Sequence, residues 1–265
     1  MTTPKIPTMK KDGTRFYVPA DTGEKYPGVT SILDVLPKPA LKYWAERVVA
    51  ERAVDELQSW IGMVIRGDRD EAIKYVKGAP YARKAGEAAR KGTDLHDLFE
   101  RMALGGKVLK RDVHPDLWPD VVQFKDFLKV VEPEFHEMEV TVFSESPRYA
   151  GSFDALATVN APQADGSMGR LKVMLDYKTG KGVYPETALQ LTAYATADYI
   201  LRPDGVRDPI PEVDGGAVLH VRPDFWALIP MAITEETRMV FEAACQIMEW
   251  KSDISGRVQG KKIEF

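Results

Sequence analysis

The first half of the chain alternates apolar and polar residues with a helical period. Pro37 and Pro39 close a short apolar segment. From Ala40 to about Trp60, Leu41, Trp44, Ala45 and Val48 recur three and four apart, which predicts a helix with one apolar face. A second helical pattern covers Pro80 to Ala103, with a break expected at Gly92, Thr93 as N-cap and Gly105-Gly106 as stop. A third runs from Asp116 to Val131, where Pro133 ends it. After Phe135 the period shortens to two. Residues 138–145, 152–160 and 171–178 read as strands of an antiparallel meander, with turn-rich residues between Ala161 and Gly169. A helix is expected over Pro185–Leu201, then strands over Gly216–Val221 and Phe225–Met231 joined by Arg222-Pro223-Asp224, and a last helix over Thr234–Lys251. This order predicts a mixed α/β domain whose helical first half packs on, or extends, a central sheet.

Composition narrows the function classes. With 265 residues, 44% hydrophobic and 29% charged, the chain can bury a sizeable core in one elaborated domain or two small ones. Its formal charge of −4 excludes nucleic-acid binding by bulk positive charge. A local basic groove, or carboxylates that hold a divalent cation, remains compatible with it. A single cysteine, Cys245, excludes intrachain disulfides, a zinc ribbon and a four-cysteine iron–sulfur cluster, and points to a reducing cytoplasm. The start lacks the layout of a secretion signal and no apolar run approaches membrane-spanning length, so no membrane partner is expected. Neither repeats nor low-complexity tracts are present.

One strand carries chemistry. Over Leu171–Lys178, Lys172, Met174, Asp176 and Lys178 share one face and Leu171, Val173 and Leu175 the other, so an acid and a lysine project together at the strand end. By itself this reads as an ion pair. Gly151-Ser152-Phe153-Asp154 opens the neighbouring strand, and a meander can set Asp154 beside Asp176; two such carboxylates share a proton or a metal. Gln190 and Tyr194 lie one turn apart on the next helix, and His96 and Glu100 have the same spacing on an earlier one. Arg83, Lys84, Arg90 and Lys91, with Lys172 and Lys181 beside the strand, could track a phosphate backbone, although such clusters are commonly solvated faces. Two decoys fail. His136-Glu137 has Val140 where a zinc-protease helix needs its second histidine, and Thr179-Gly180-Lys181 has Leu175 and Gly182 where a phosphate loop needs Gly and Ser or Thr.

The ordered set Gly92-Thr93-x-x-His96, Gly151-x-x-Asp154, Asp176-x-Lys178 and Gln190-x-x-x-Tyr194 resembles the RecB-like branch of the PD-(D/E)XK nuclease superfamily. The opening Tyr26-Pro27-Gly28-Val29-Thr30-Ser31-Ile32-Leu33, followed by Leu41 to Ala45, is similar to phage-encoded members. Phe153 stands where the superfamily name has proline, and the lone cysteine matches the branch without an iron–sulfur cluster. The resemblance implies a restriction-endonuclease-like core over residues 79–265, a central mixed sheet flanked by helices, with a helical N-terminal extension over residues 1–78. It also implies a phage-type DNA exonuclease dependent on Mg²⁺ or Mn²⁺, with a single-strand annealing recombinase as candidate partner. Within it Asp154, Asp176, the backbone carbonyl of Tyr177 and His96 hold the ion, while Lys178 orients the attacking water and a phosphate oxygen. Gln190 and Tyr194 contact DNA or hold the catalytic loop, and Glu100 reaches the ion's surroundings through a water. A structure-selective endonuclease and a non-catalytic DNA-binding or assembly module are the alternatives. No sequence feature sets the oligomeric state.

Overall fold

The computed structural model describes residues 6–78, 80–162 and 167–263. In chain order the elements are β1 (Thr8–Lys11), β2 (Thr14–Tyr17), β3 (Tyr26–Pro27), α1 (Val29–Leu33), α2 (Pro39–Asp55), α3 (Leu57–Ile65), α4 (Arg69–Lys77), α5 (Pro80–Ala103) and α6 (Trp118–Val131). There follow β4 (Glu134–Glu145), β5 (Arg148–Pro162), β6 (Met168–Lys178), α7 (Glu186–Ala195), β7 (Tyr199–Leu201), β8 (Arg207–Asp208), β9 (Gly215–Val221), β10 (Trp226–Met231) and α8 (Glu235–Ser252). The protein is thus mixed α/β.

Its centre is a seven-stranded mixed sheet in the order β10-β9-β6-β5-β4-β7-β8, flanked by helices. The meander β4-β5-β6 is antiparallel, while β9 joins β6 in parallel, which requires the crossover that α7 supplies. Alternation along β6 sorts its side chains. Val173, Leu175 and Tyr177 enter a core with Leu95 and Phe99 of α5 and Phe124 and Phe127 of α6; Met174 enters the opposite core with α1, α7 and α8. Phe99 and Phe124 stack at 4.2 Å between centroids, and the Tyr177 ring meets both edge-on.

The chain divides into two compact units, residues 1–36 with 94–265, and residues 37–93. Residues 1–78 were expected to be a helical extension. Instead the described part of 1–36 holds a small antiparallel sheet, β1-β2-β3, and α1, and it clusters with the central sheet; a parallel bridge between Gly28 and Ala150 ties it to β5. The second unit is helical, built from α2, α3, α4 and the start of α5. The single helix expected over Ala40–Trp60 is two, divided at Glu56, and the side chain of Leu41 lies outside the described residues.

Other local expectations change for identifiable reasons. Helix α5 runs unbroken through Gly92, since one interior glycine costs only about 1 kcal/mol and packing of Leu95 and Phe99 outweighs it. Thr93 is no cap; its hydroxyl donates back to the Ala89 carbonyl at 3.1 Å. The expected stop at Gly105-Gly106 is present: Gly105 takes φ +79°, and the amides of Gly105 and Gly106 close on the carbonyls of Met102 and Arg101. The helix expected over Pro185–Leu201 ends at Ala195, because Tyr199, Ile200 and Leu201 pair with β4 instead. The last helix starts as expected, with Thr234 and Thr237 forming a capping box.

Candidate functional site

The pairing of β5 with β6 ends at Ala155↔Leu175, where the two strands separate. Asp154 and Asp176 are the next residue on each strand and line one pocket with Arg15, Tyr17, His96, Gly151, Ser152, Lys178, Gln190 and Tyr194. This pocket, of about 140 Å³, has room for several waters or a hydrated ion. The separation frees the backbone N–H of Tyr177 from the ladder, and it donates to Asp154 Oδ2 at 2.6 Å. Asp154 Oδ1 is left facing His96 Nδ1 at 3.3 Å.

Each expected side chain has a definite place. Asp176 is buried, 3% exposed, with Oδ2 2.6 Å from Lys178 Nζ and Oδ1 accepting from Gln190 Nε2 at 2.9 Å. The same Gln190 amide donates to the Tyr194 hydroxyl at 3.1 Å, so the one-turn spacing on α7 builds a relay that holds Asp176. Tyr194 packs over Gly151, where a Cβ would stand 2.5 Å from Tyr194 Cε1; the glycine three residues before Asp154 is there for close approach. His96 projects from α5 with its ring edge-on to Tyr177 at 5.7 Å. Glu100, one turn further, lies near enough for its charge to act on the Tyr177 hydroxyl but outside the pocket lining. The Tyr177 side chain itself belongs to the core. Arg83 and Lys84 side chains lie outside the described residues.

Protonation follows from burial set against neighbouring charge. Burial pulls the His96 pKa down, but the charges of Asp154 and Asp176 overcome it and the pKa is raised. Burial pushes Asp154 up, yet His96, Lys178 and the Tyr177 amide leave it lowered. Asp176 is raised, by burial first and by repulsion from Asp154, against the pull of Lys178. Lys178 resists burial through Asp176 and Asp154 and is raised, so it stays an ammonium.

One acid was missed by sequence reasoning. Glu139 lies on β4 between the Met138↔Ala155 and Val140↔Phe153 pairs, hence across from Asp154, and is only 4% exposed. Its φ of +50° marks an irregularity in the strand. His96, Glu139 and Asp154 each bring a ligand atom, all within 4.8 Å of one another, so this buried group could hold a metal ion. The available signal was an acid inside the apolar run Met138-Glu139-Val140. Ser152, Tyr17 and Thr141 were also missed. The Tyr17 hydroxyl accepts the Ser152 amide at 3.2 Å, and the Ser152 and Thr141 hydroxyls lie 2.8 Å apart, which fixes the strand just before Asp154.

No helix among the described residues is long and apolar enough to cross a membrane. No protein-family model matches the chain, and no curated protein sequence matches it.

Proposed function

We propose that this chain hydrolyses DNA phosphodiester bonds as a metal-dependent exonuclease with a PD-(D/E)XK core of the RecB-like kind. The observation that carries the reading is the convergence of Asp154, Asp176 and Lys178 in one pocket with His96 and Gln190, drawn from two strands and two helices.

The donor set fits a hard or borderline divalent cation. Carboxylate oxygens dominate, and the buried His96 Nδ1, 3.3 Å from Asp154 Oδ1, adds an imidazole nitrogen to them. Asp154, Asp176 and His96 would hold Mg²⁺ or Mn²⁺, with the Tyr177 carbonyl as a further donor. The ion supplies Lewis acidity toward a phosphoryl oxygen and lowers the pKa of a water. Lys178 remains charged and donates to a phosphate oxygen while orienting the attacking water; it is no proton acceptor in this environment. Gln190, steadied by Tyr194, holds Asp176 in register. Arg15 lines the same pocket and adds a cation where the phosphate arrives, which a chain of net charge −4 needs locally. A recombinase of the single-strand annealing type is the partner that would use the strand such an exonuclease exposes.

The test is digestion of end-labelled linear duplex, single strand and closed circle with Mg²⁺, Mn²⁺ or EDTA, with Lys178→Ala as control. Metal-dependent loss of linear DNA alone, reduced by about 10²–10⁴-fold in Lys178→Ala, is the expected result. Nicking of the circle moves the reading to an endonuclease. Intact DNA in every lane from folded, metal-loaded protein refutes hydrolysis and leaves a DNA-binding or assembly module.

A further inference from the structure

We propose that the outward face of α8 is the contact between two copies of this chain, which pair antiparallel about a two-fold axis beside Cys245. The proposal goes beyond the nuclease reading and does not depend on it, since none of the residues involved lines the pocket of Asp154 and Asp176.

Helix α8 is apolar on two opposite sides. One side is used by the fold: Phe241 and Ala244 are buried, and Cys245 and Met248 pack against the same core. The other carries Val240, Ala243, Ile247 and Trp250, with Met239 beside them. Val240 is 49% exposed, Ile247 and Trp250 50% each and Met239 60%, and Ala243 is exposed as well. A surface helix ordinarily turns polar residues away from the core. This stripe offers on the order of 400 Å² of apolar surface, the size of the largest patch that a soluble monomer usually leaves bare, and such patches mark interaction sites.

Spacing identifies the occupant as a helix. From Val240 through Ala243 and Ile247 to Trp250 the intervals are three, four and three residues, the seam of a coiled coil, into which a second helix packs knobs into holes. Charge and volume identify that helix as α8 of a second copy. Glu235 and Glu236 stand in the first turn and Lys251 in the last. Parallel pairing would set each end against its own likeness and align the two helix dipoles, whereas antiparallel pairing brings the Lys251 end of one copy to the acidic end of the other. Glu235 and Glu242 are both taken up by Arg238, at 2.6 and 2.7 Å, which leaves Glu236 at the end of the seam to meet the incoming Lys251. With the axis beside Cys245, Val240 opposes Trp250 and Ala243 opposes Ile247, so each bulky side chain meets a smaller one and both layers repeat by symmetry. Two stripes together remove about 800 Å² of apolar surface, and flanking polar atoms bring the contact to the ~1,000 Å² at which specific association begins, so the dimer should be reversible.

The experiment is sedimentation velocity of the full chain over roughly 1–300 µM. The wild type is expected to pass from monomer to dimer and no further, because a two-fold contact closes on itself. Trp250→Ala should weaken the dimer by about 30-fold, and Ile247→Glu, which sets a charge in the seam, by on the order of 100-fold. Both side chains face solvent in the monomer, so urea midpoints of the dilute variants should match the wild type, which separates lost pairing from lost folding. Each contact of Glu236 with Lys251 occurs twice in the dimer, so Glu236→Lys and Lys251→Glu should each weaken it roughly 3–20-fold, and the two combined should restore it. A wild type that stays monomeric at the highest concentration, growth beyond the dimer, or a dimer that Ile247→Glu leaves intact would overturn the proposal. Failure of the double reversal to recover affinity would overturn the antiparallel arrangement.

Discussion

Gly151→Ala is the smallest change that reaches from the fold into the site. Its added Cβ would stand 2.5 Å from Tyr194 Cε1 and 3.0 Å from Val29 Cγ2. Neither neighbour can yield cheaply, because Tyr194 is 2% exposed and Val29 fully buried in the core that α1, α7 and β5 share. Overpacking of this kind costs about 1–3 kcal/mol, and the sub-3 Å contact with a ring places this site toward the upper end. At about 2–4 °C per kcal/mol for a chain of this size, the melting temperature should fall by roughly 2–12 °C. Movement of the Tyr194 ring also loosens the Gln190 amide that it accepts from, and with it the hold on Asp176. The assay is urea denaturation of Gly151→Ala, Tyr194→Ala and the double variant, comparing midpoints at constant slope. Tyr194→Ala alone should cost more, about 3–5 kcal/mol for an emptied aromatic site. In its background the alanine at 151 should cost clearly less, since the ring it meets is gone and only the 3.0 Å contact with Val29 remains. A Gly151→Ala midpoint equal to wild type, or an equal penalty with and without the Tyr194 ring, would refute the close-packing argument.

The Tyr177 hydroxyl is buried without a hydrogen-bonding partner, so Tyr177→Phe should raise stability by about 1 kcal/mol, read as a higher urea midpoint; a fall would show a hidden partner. Glu145 accepts from the hydroxyls of Tyr199 and Tyr26 at 2.8 and 2.9 Å, and these bonds, Tyr199's foremost, with Arg207 and Arg148 nearby, lower its pKa below 4.5. Its contribution is therefore present above that value and lost as pH falls through the lowered one, so the gap in midpoint between wild type and Glu145→Gln should be seen at pH 7 and shrink in acid. A pH-independent gap would rule this out. Burial pushes the Cys245 thiol up to about 12, so the folded chain should react with a thiol-specific disulfide at pH 8 far more slowly than the urea-unfolded chain. Equal rates would place Cys245 at the surface.

Much of the site was legible along the chain because its signals are local. Asp176 and Lys178 share a strand face through the period of two, and Gln190 and Tyr194 share a helix face through the 3.6-residue turn; both relations survive in the structure as a 2.6 Å ion pair and a 3.1 Å hydrogen bond. Cap chemistry set the ends of α5 and α8 for the same reason. Pattern alone failed where long-range pairing competes with propensity. Tyr199–Leu201 continues the helical pattern but finds a better partner in β4, and Gly92 reads as a breaker until Leu95 and Phe99 hold the helix through it. The three short strands of the first 36 residues have little periodicity to detect, and only contact with β5 explains where they sit. Glu139 belongs to the same class. Its residue type was visible, but the meaning of an acid within an apolar strand depends on what stands across the ladder. Only the register that sets Glu139 opposite Asp154, and the packing of α5 that brings His96 to both, turns three scattered side chains into one group.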